Sequence, residues 1–393
     1  MTGAALLRRR RLRGVALAAI VGLALSAGLA ACGDDDDTSS ASGSAAGGGA
    51  ATTSASGGDA GLQEAKQAMA DAMKAPAELG LPKWTKPFPT GKTITYVHCG
   101  VEVCNTIVDA IKYAADVAGW KLKVIPSNGS PASVKSAWAT VVRTHPDAAF
   151  GSGFDGTVYA AELAKLKAMK VPVFALATLD KSGAKGIELV KLGPDEVPIV
   201  GKQMAAWAVA TTEGKANTLY VDLPTFTILK PVMEAYEKSY KELCSSCGYA
   251  SMNVPITALG SKAPGMIVGY LRSHPDVNVV AMGYDGIGLG LPAALKAAGL
   301  ADKVKIVGEA PTATNLSYVQ AGTQGATVSQ GYYEIWANLV DAAARAMTGQ
   351  SLEPNAAFPP PYWLVTKENV AEANPPKPLN PDLAGELKEL WNR

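Results

Sequence analysis

The apolar and polar positions of this chain alternate in a repeating pattern, clearest in two stretches about 130 residues apart: RTHPDAAFGSGFDG at 143–156 and RSHPDVNVVAMGYDG at 272–286. In each, helical spacing ends at His-Pro-Asp, a short apolar run follows, and the run gives way to Gly-aromatic-Asp-Gly. Pro146 and Pro275 cannot continue a helix and push the preceding residue toward extended geometry. The runs at 148–150 and 277–282 have the length of buried strands bounded by turns. Strands are predicted at 93–98, 121–125, 148–151 and 171–176, separated by helices at 104–118, 132–144 and 156–169. After the Gly193-Pro194 turn the pattern restarts with helix 196–213, strand 217–221, helix 226–243, strand 249–254, helix 263–273, strand 277–282, helix 286–298 and strand 304–308. Strand 325–330, helix 331–348 and strand 362–366 complete it. Such alternation means parallel sheets covered by helices on both faces. The expected fold class is α/β, with two doubly wound parallel-sheet lobes. Loops after parallel strands open on the carboxyl edge, where open α/β sheets bind ligands, so GFDG and GYDG should face one cleft.

The expected lobes are 92–194 plus 331–352, and 195–330 plus 360–366, because the second run holds more elements than one lobe needs. Residues 62–91 read as a helical arm with Leu62, Ala65, Met69 and Met73 on one stripe, followed by a proline-marked extended lead-in. Residues 367–393, with four prolines, are expected on the surface. At the other end, Arg8–Arg11 and Arg13 precede an apolar run of small residues, Val15–Ala31, in the manner of an export signal over 1–31. The run closes on Leu29-Ala30-Ala31-Cys32, which resembles the bacterial lipoprotein lipobox. That resemblance implies cleavage before Cys32 and a lipid on its sulfur. Residues 32–61 contain Asp, Ser, Thr, Ala and Gly but hardly any large apolar residue, and read as a flexible tether.

Composition narrows the function classes. The net charge of +1 conceals five arginines before Cys32; without them 31 basic residues face 35 acidic ones, and no basic patch argues for nucleic acid. Three histidines, His98, His145 and His274, assemble neither a nucleophilic triad nor a metal set, so no enzyme, metal or cofactor is expected. Gly91-Lys92-Thr93 is not a phosphate loop, since it lacks a glycine at 86 and precedes its strand. Beyond Cys32 four cysteines remain; in an oxidising compartment proximity favours pairing Cys99 with Cys104 and Cys244 with Cys247.

From Thr93 to Thr366 the chain resembles the type I periplasmic binding proteins, specifically the ribose-binding-like solute-binding lipoproteins of ABC importers. The resemblance rests on the lipobox, TITYVHCG at the first strand, the two His-Pro-Asp segments, KVKIVGEAPT at 303–312 and GATVSQG at 325–331, in that order. It implies three crossing strands between the lobes, closure around one small molecule, a permease partner, a monomer, and an extracytoplasmic location at the cell membrane. A sugar or sugar-like ligand is implied; a less hydroxylated or aromatic ligand, or a ligand-sensing role for a membrane receptor, is the alternative. A regulator of the same fold is set aside for want of a helix-turn-helix ahead of the first lobe.

Candidate ligand contacts are His98, Gly100, Glu102 and Asn105 after the first strand, Phe154 and Asp155 after the third, and Tyr284 and Asp285 after the eighth. Lys230 and Gln330 match an arginine and a glutamine that hold sugar hydroxyls in the family. Asp155 and Asp285 could instead cap helices, His98 could be a strand-end histidine, and Lys230 a solvated helix residue. Where the family has Asp-Arg after the fourth strand this chain has Ala177-Thr178, and its Gly-Phe-Asp becomes Gly308-Glu309-Ala310, so Thr178 and Glu309 join the candidates.

Overall fold

The computed structural model describes residues 56–75 and 79–393. The proposed signal, the lipidation site at Cys32 and the tether as far as residue 55 lie outside the described residues. Strands Thr93–Val97 (β1), Lys121–Ile125 (β2), Ala148–Ser152 (β3), Val173–Leu176 (β4) and Leu189–Lys191 (β5) form a parallel sheet in the order β2-β1-β3-β4-β5. Strands Asn217–Asp222 (β6), Gly248–Asn253 (β7), Val279–Met282 (β8), Lys305–Glu309 (β9), Ala326–Gln330 (β10) and Tyr362–Thr366 (β11) form the second sheet in the order β11-β10-β9-β8-β6-β7. All its neighbours are parallel except β11, which runs antiparallel to β10. Read from β7 to β10, this sheet repeats the order of the first, as the duplicated sequence pattern implies.

Burial explains why these segments are strands. Every residue of β3 and β8 is buried, which is how a central parallel strand with helices on both faces reads. The edge strands β2 and β7 are instead mostly exposed or half-buried, with Ile125 the one buried residue of the two. In the first lobe the helices are Val103–Ala118 (α2), Pro131–Thr144 (α3) and Ala160–Ala168 (α4), preceded in sequence by Ser56–Ala72 (α1). In the second they are Pro198–Thr211 (α5), Leu229–Leu243 (α6), Ala263–Ser273 (α7), Leu291–Ala297 (α8) and Ala313–Ala321 (α9), followed by Tyr332–Met347 (α10). Ser130 caps α3 through Ser133 N–H, with Pro131 in the first turn, where its missing N–H costs nothing.

The chain passes between the lobes three times. It leaves β5 for α5, which packs on α6, β9 and β10; it leaves β10 for α10, which packs on α2 and β5; and it returns after the short helix Glu353–Ala357 to β11.

Four expectations are corrected. The arm helix begins at Ser56, inside the stretch read as tether, and ends at Ala72; its Ser-Gly-Gly opening is a poor helix former, but tertiary contact with α5 and α6 holds it. The segment 156–169 divides into a turn of 3₁₀ helix and α4, and 286–298 likewise yields a 3₁₀ turn and α8. Strand β5 and helix α9 were not read from the pattern. The final residues are not a surface tail throughout, because Leu383, Leu387 and Trp391 are fully buried, with Trp391 stacked on Phe88 at 4.5 Å.

Candidate ligand cleft

The carboxyl edges of the two sheets face each other across a cavity of about 80 Å³ lined from both lobes. That is several times the ~10–15 Å³ one water needs, so a small organic molecule fits. From the first lobe come Cys99, Val101, Val103, Ile107, Ser152 and Leu176. From the second come Phe226, Ile228, Leu229, Val232, Tyr284 and Glu309, with Gln330 and Tyr332 at a crossing. Ala177, Leu192 and Ala310 also line it, and all three have positive φ, at 55°, 55° and 53°. Left-handed backbone is costly for residues with a Cβ and gathers at functional sites.

The lobes touch around this cavity. Asp155 Oδ2 accepts a hydrogen bond from Thr227 Oγ1 at 2.8 Å, across the gap, while Oδ1 accepts from Leu179 N–H at 2.7 Å. Tyr284 Oη accepts from Val103 N–H at 3.3 Å, and Phe154 meets Phe226 edge-on at 5.4 Å. Asp155 is therefore a bridge between lobes and makes no side-chain helix cap.

Inside the cavity one polar chain dominates. Tyr332 Oη donates to Gln330 Oε1, and Gln330 Nε2 donates to Glu309 Oε2 at 2.6 Å. Glu309 is 4% exposed, and burial pushes its pKa up to about 8. Ser152 Oγ pairs with Tyr96 Oη at 2.7 Å.

Several sequence candidates lie elsewhere. Asp285, read as a cleft carboxylate, is fully buried within the second lobe: Oδ1 accepts from Gln324 Nε2 at 2.9 Å, and the carboxyl lies where a side chain at Gly308 would otherwise go. Burial raises its pKa to about 7. The residue turns inward because Gly308 leaves room for it. Lys230 is a solvated residue paired with Glu234 at 3.7 Å, one helical turn on. His98 and Asn105 pair with each other at 3.3 Å, His98 Nδ1 accepts from Gly100 N–H at 3.0 Å, and partial burial pulls the imidazole pKa down. Neither lines the cavity. Gly100 and Glu102 instead line an outer space between the lobes, of about 340 Å³, with Tyr284 and Ile256. Thr178 is buried without a partner for its hydroxyl and does not line the cavity.

Of the sequence candidates, Tyr284, Glu309 and Gln330 thus line the cavity, and Phe154 and Asp155 close it. The aliphatic lining went unread because a buried apolar residue of a cleft has the same periodicity as one of a core. Cys99 and Cys104 come to bonding distance at the cavity wall, with Cα atoms 6.0 Å apart, and Cys244 and Cys247 do so after α6, with Cα atoms 5.4 Å apart.

Among the described residues no three His, Cys, Asp or Glu side chains are grouped to hold a metal, and no helix is long and apolar enough to cross a membrane.

The chain is similar to the ribose import binding proteins of Salmonella typhimurium, at 24% identity over 263 residues, covering 67% of this chain and 86% of the relative. The Escherichia coli counterpart is 23% identical over the same length. Among solved structures, an ABC transporter periplasmic solute binding protein from Actinobacillus succinogenes with bound D-allose superposes with a TM-score of 0.62 at 17% identity, covering 72% of this chain and 99% of that one. A solute binding protein from Bacillus halodurans with bound myo-inositol gives 0.60 at 18%, covering 73% and 99%. These likenesses establish the fold. The family model for the periplasmic binding protein domain matches residues 98–351, more than half of the chain. With two parallel-sheet lobes of one strand order and a cavity between their carboxyl edges, the chain belongs to the periplasmic binding protein domain family, in its type I form.

Proposed function

We propose that this protein is the extracytoplasmic solute-binding component of an ABC importer, capturing one small molecule between its lobes and presenting it to a permease. The observation that carries this reading is the cavity itself, lined from both lobes and closed over by the Asp155–Thr227 and Tyr284–Val103 contacts. Closure by hinge motion sequesters a ligand and reshapes the outer surface, which is what a permease can recognise. Sugars and polyols are named for the relatives, so a sugar-like ligand is the reading they favour. The aliphatic lining favours a second reading, a ligand with fewer hydroxyls.

The test is a thermal-shift screen of the purified protein against sugars, polyols, alcohols and amines. A ligand bound only by the folded state at a hundred times its Kd stabilises by about 2.7 kcal/mol. At least one compound should raise Tm and compact the protein in small-angle scattering; a screen without any shift would remove the solute-capture reading.

The same reading places the protein at a membrane. The lipobox at Cys32 and the tether supply the anchor, and the Cys99–Cys104 and Cys244–Cys247 pairs are disulfides suited to an oxidising compartment. Cys32→Ser is expected to shift the protein from the membrane fraction to the soluble extracytoplasmic fraction; continued membrane association would argue against lipidation.

A further inference from the structure

The cavity offers very few hydrogen bonds to an occupant. Most of its wall is aliphatic, including Val103, Ile107, Leu176, Val200, Leu229 and Val232. Five polar side chains line it: Ser152, Tyr284, Glu309, Gln330 and Tyr332. Four of them are already engaged inside the protein. Ser152 pairs with Tyr96, Tyr284 Oη accepts from Val103 N–H, Tyr332 donates to Gln330, and Gln330 Nε2 donates to Glu309 Oε2.

Among the described residues, Glu309 Oε1 stands out as a side-chain oxygen of this set with no partner at all, whereas its twin Oε2 is bonded to Gln330. Tyr284 Oη keeps its own proton and Gln330 Nε2 a second one. The cations that could answer an anionic ligand are also spent or distant. Lys230 is at the surface with Glu234, and Lys191 is held by Glu196 and the carbonyl of Phe358. Among the described residues no Arg, Lys or His lines the cavity.

These facts discriminate between ligand classes. A polar group moved from water into such a cavity without a partner loses about tenfold or more in affinity. A ring bearing five or six hydroxyls would leave most of them unmatched here, and those losses multiply. A ring bearing one polar group would match it at Glu309 Oε1 and bury the rest against aliphatic wall.

Resting on the solute-capture reading, we propose that the cleft takes a sparsely hydroxylated, largely apolar small molecule presenting one hydroxyl or amine to Glu309 Oε1. Glu309 is then the residue that sets ligand orientation and specificity. Ala177 and Ala310, at the ends of β4 and β9, keep the wall apolar where longer polar side chains could have reached in.

Rings of equal size with different numbers of hydroxyls test this directly. Cyclohexanol and cyclohexylamine carry one polar group each and myo-inositol six; D-ribose serves as a second polyhydroxylated probe. Calorimetry on the full chain should show at least one monosubstituted ring binding more than about tenfold tighter than myo-inositol or D-ribose, the cost of a single unmatched group. Glu309→Leu should weaken that ring by about tenfold, while Glu309→Gln, whose neutral amide offers a donor and an acceptor as a protonated carboxyl does, should hold cyclohexanol within roughly threefold. The Gln variant also separates lost recognition from lost folding.

Tighter binding of myo-inositol or D-ribose would overturn the proposal while leaving solute capture standing. Equal affinity in wild type and Glu309→Leu would overturn the role of Glu309. If neither ring class binds, this proposal fails; if the wider screen is blank as well, solute capture fails with it.

Discussion

Raising the pH from 5 to 8 is expected to destabilise this protein by several kcal/mol, the reverse of the behaviour of a protein held by surface carboxylate pairs. The cause is two carboxyls that folding places out of water. Asp285 is fully buried and Glu309 is 4% exposed. Their pKa values rise from 3.8 to about 7 and from 4.5 to about 8, with desolvation as the largest cause in both. A raised pKa means that the folded state holds a proton which the unfolded chain has released, so the unfolded state binds fewer protons and stability falls as pH rises. The contribution is fully present below the unfolded values, near pH 4, and is lost as pH climbs through 7 and 8. Each group costs about 1.4 kcal/mol per pH unit across its window. Burial raises the pKa of Asp222 and Glu334 too, which adds in the same direction.

Urea unfolding at pH 5, 6, 7 and 8 reads this effect. The midpoint should fall steadily through the series, and the double variant Asp285→Asn with Glu309→Gln should flatten most of the dependence, since neutral amides do not titrate. A midpoint that is level or rises between pH 5 and 8 would show that the two carboxyls are ionised in the folded protein at little cost.

The buried carboxyls also show where sequence reading stops. Both sheets were legible, because a central parallel strand such as β3 or β8 is a short apolar run closed by turns, and the His-Pro-Asp segments mark where the preceding helices end. The repeat of Gly-aromatic-Asp-Gly located the loops on the cleft edge. It could not tell Asp155 from Asp285, whose local sequences match. The difference is made by distant residues: Thr227 reaches Asp155 from the other lobe, whereas Gly308 and Gln324 make an interior place for Asp285. Polarity was likewise a poor guide to the lining. Glu309 and Gln330 stood out through the family match, but nothing marked Val103, Ile107 and Val232, whose helices read as ordinary amphipathic helices, or Val200, whose helix is apolar nearly all round. Lys230 came from the same family match, and its exposure with Glu234 shows that a match of position does not by itself carry the side chain's direction.

The fold of the C-terminal end rests on a single buried acid, and Asp341→Ala is expected to cost about 3–5 kcal/mol. Asp341 sits on α10 with no exposure and accepts four hydrogen bonds. Trp84 Nε1 and Trp391 Nε1 donate to Oδ1 at 2.6 and 3.0 Å; Arg345 Nε and Asn355 Nδ2 donate to Oδ2 at 2.6 and 3.0 Å. One carboxylate thereby ties the lead-in before β1, the end of the final helix Leu383–Leu390 and the short helix before β11 to α10. Arg345, 6% exposed, also donates to the Pro82 carbonyl at 3.1 Å and lies over the Trp84 ring at 5.2 Å. Removing the carboxylate leaves a guanidinium, two indole N–H groups and an amide buried without their acceptor, and an unpaired buried charge is the largest of these penalties. Asp341→Asn keeps one acceptor oxygen and should lose less. Replacing both members of the pair, Asp341→Leu with Arg345→Met, should recover much of the loss, because no charge then remains buried. The readouts are urea unfolding and the fluorescence of Trp84 and Trp391, which should become more solvent-exposed in Asp341→Ala before the lobes unfold. A loss below about 1 kcal/mol, the size of an ordinary hydrogen bond, would mean that the aromatic packing of Phe88, Trp120 and Trp391 holds this end without the acid.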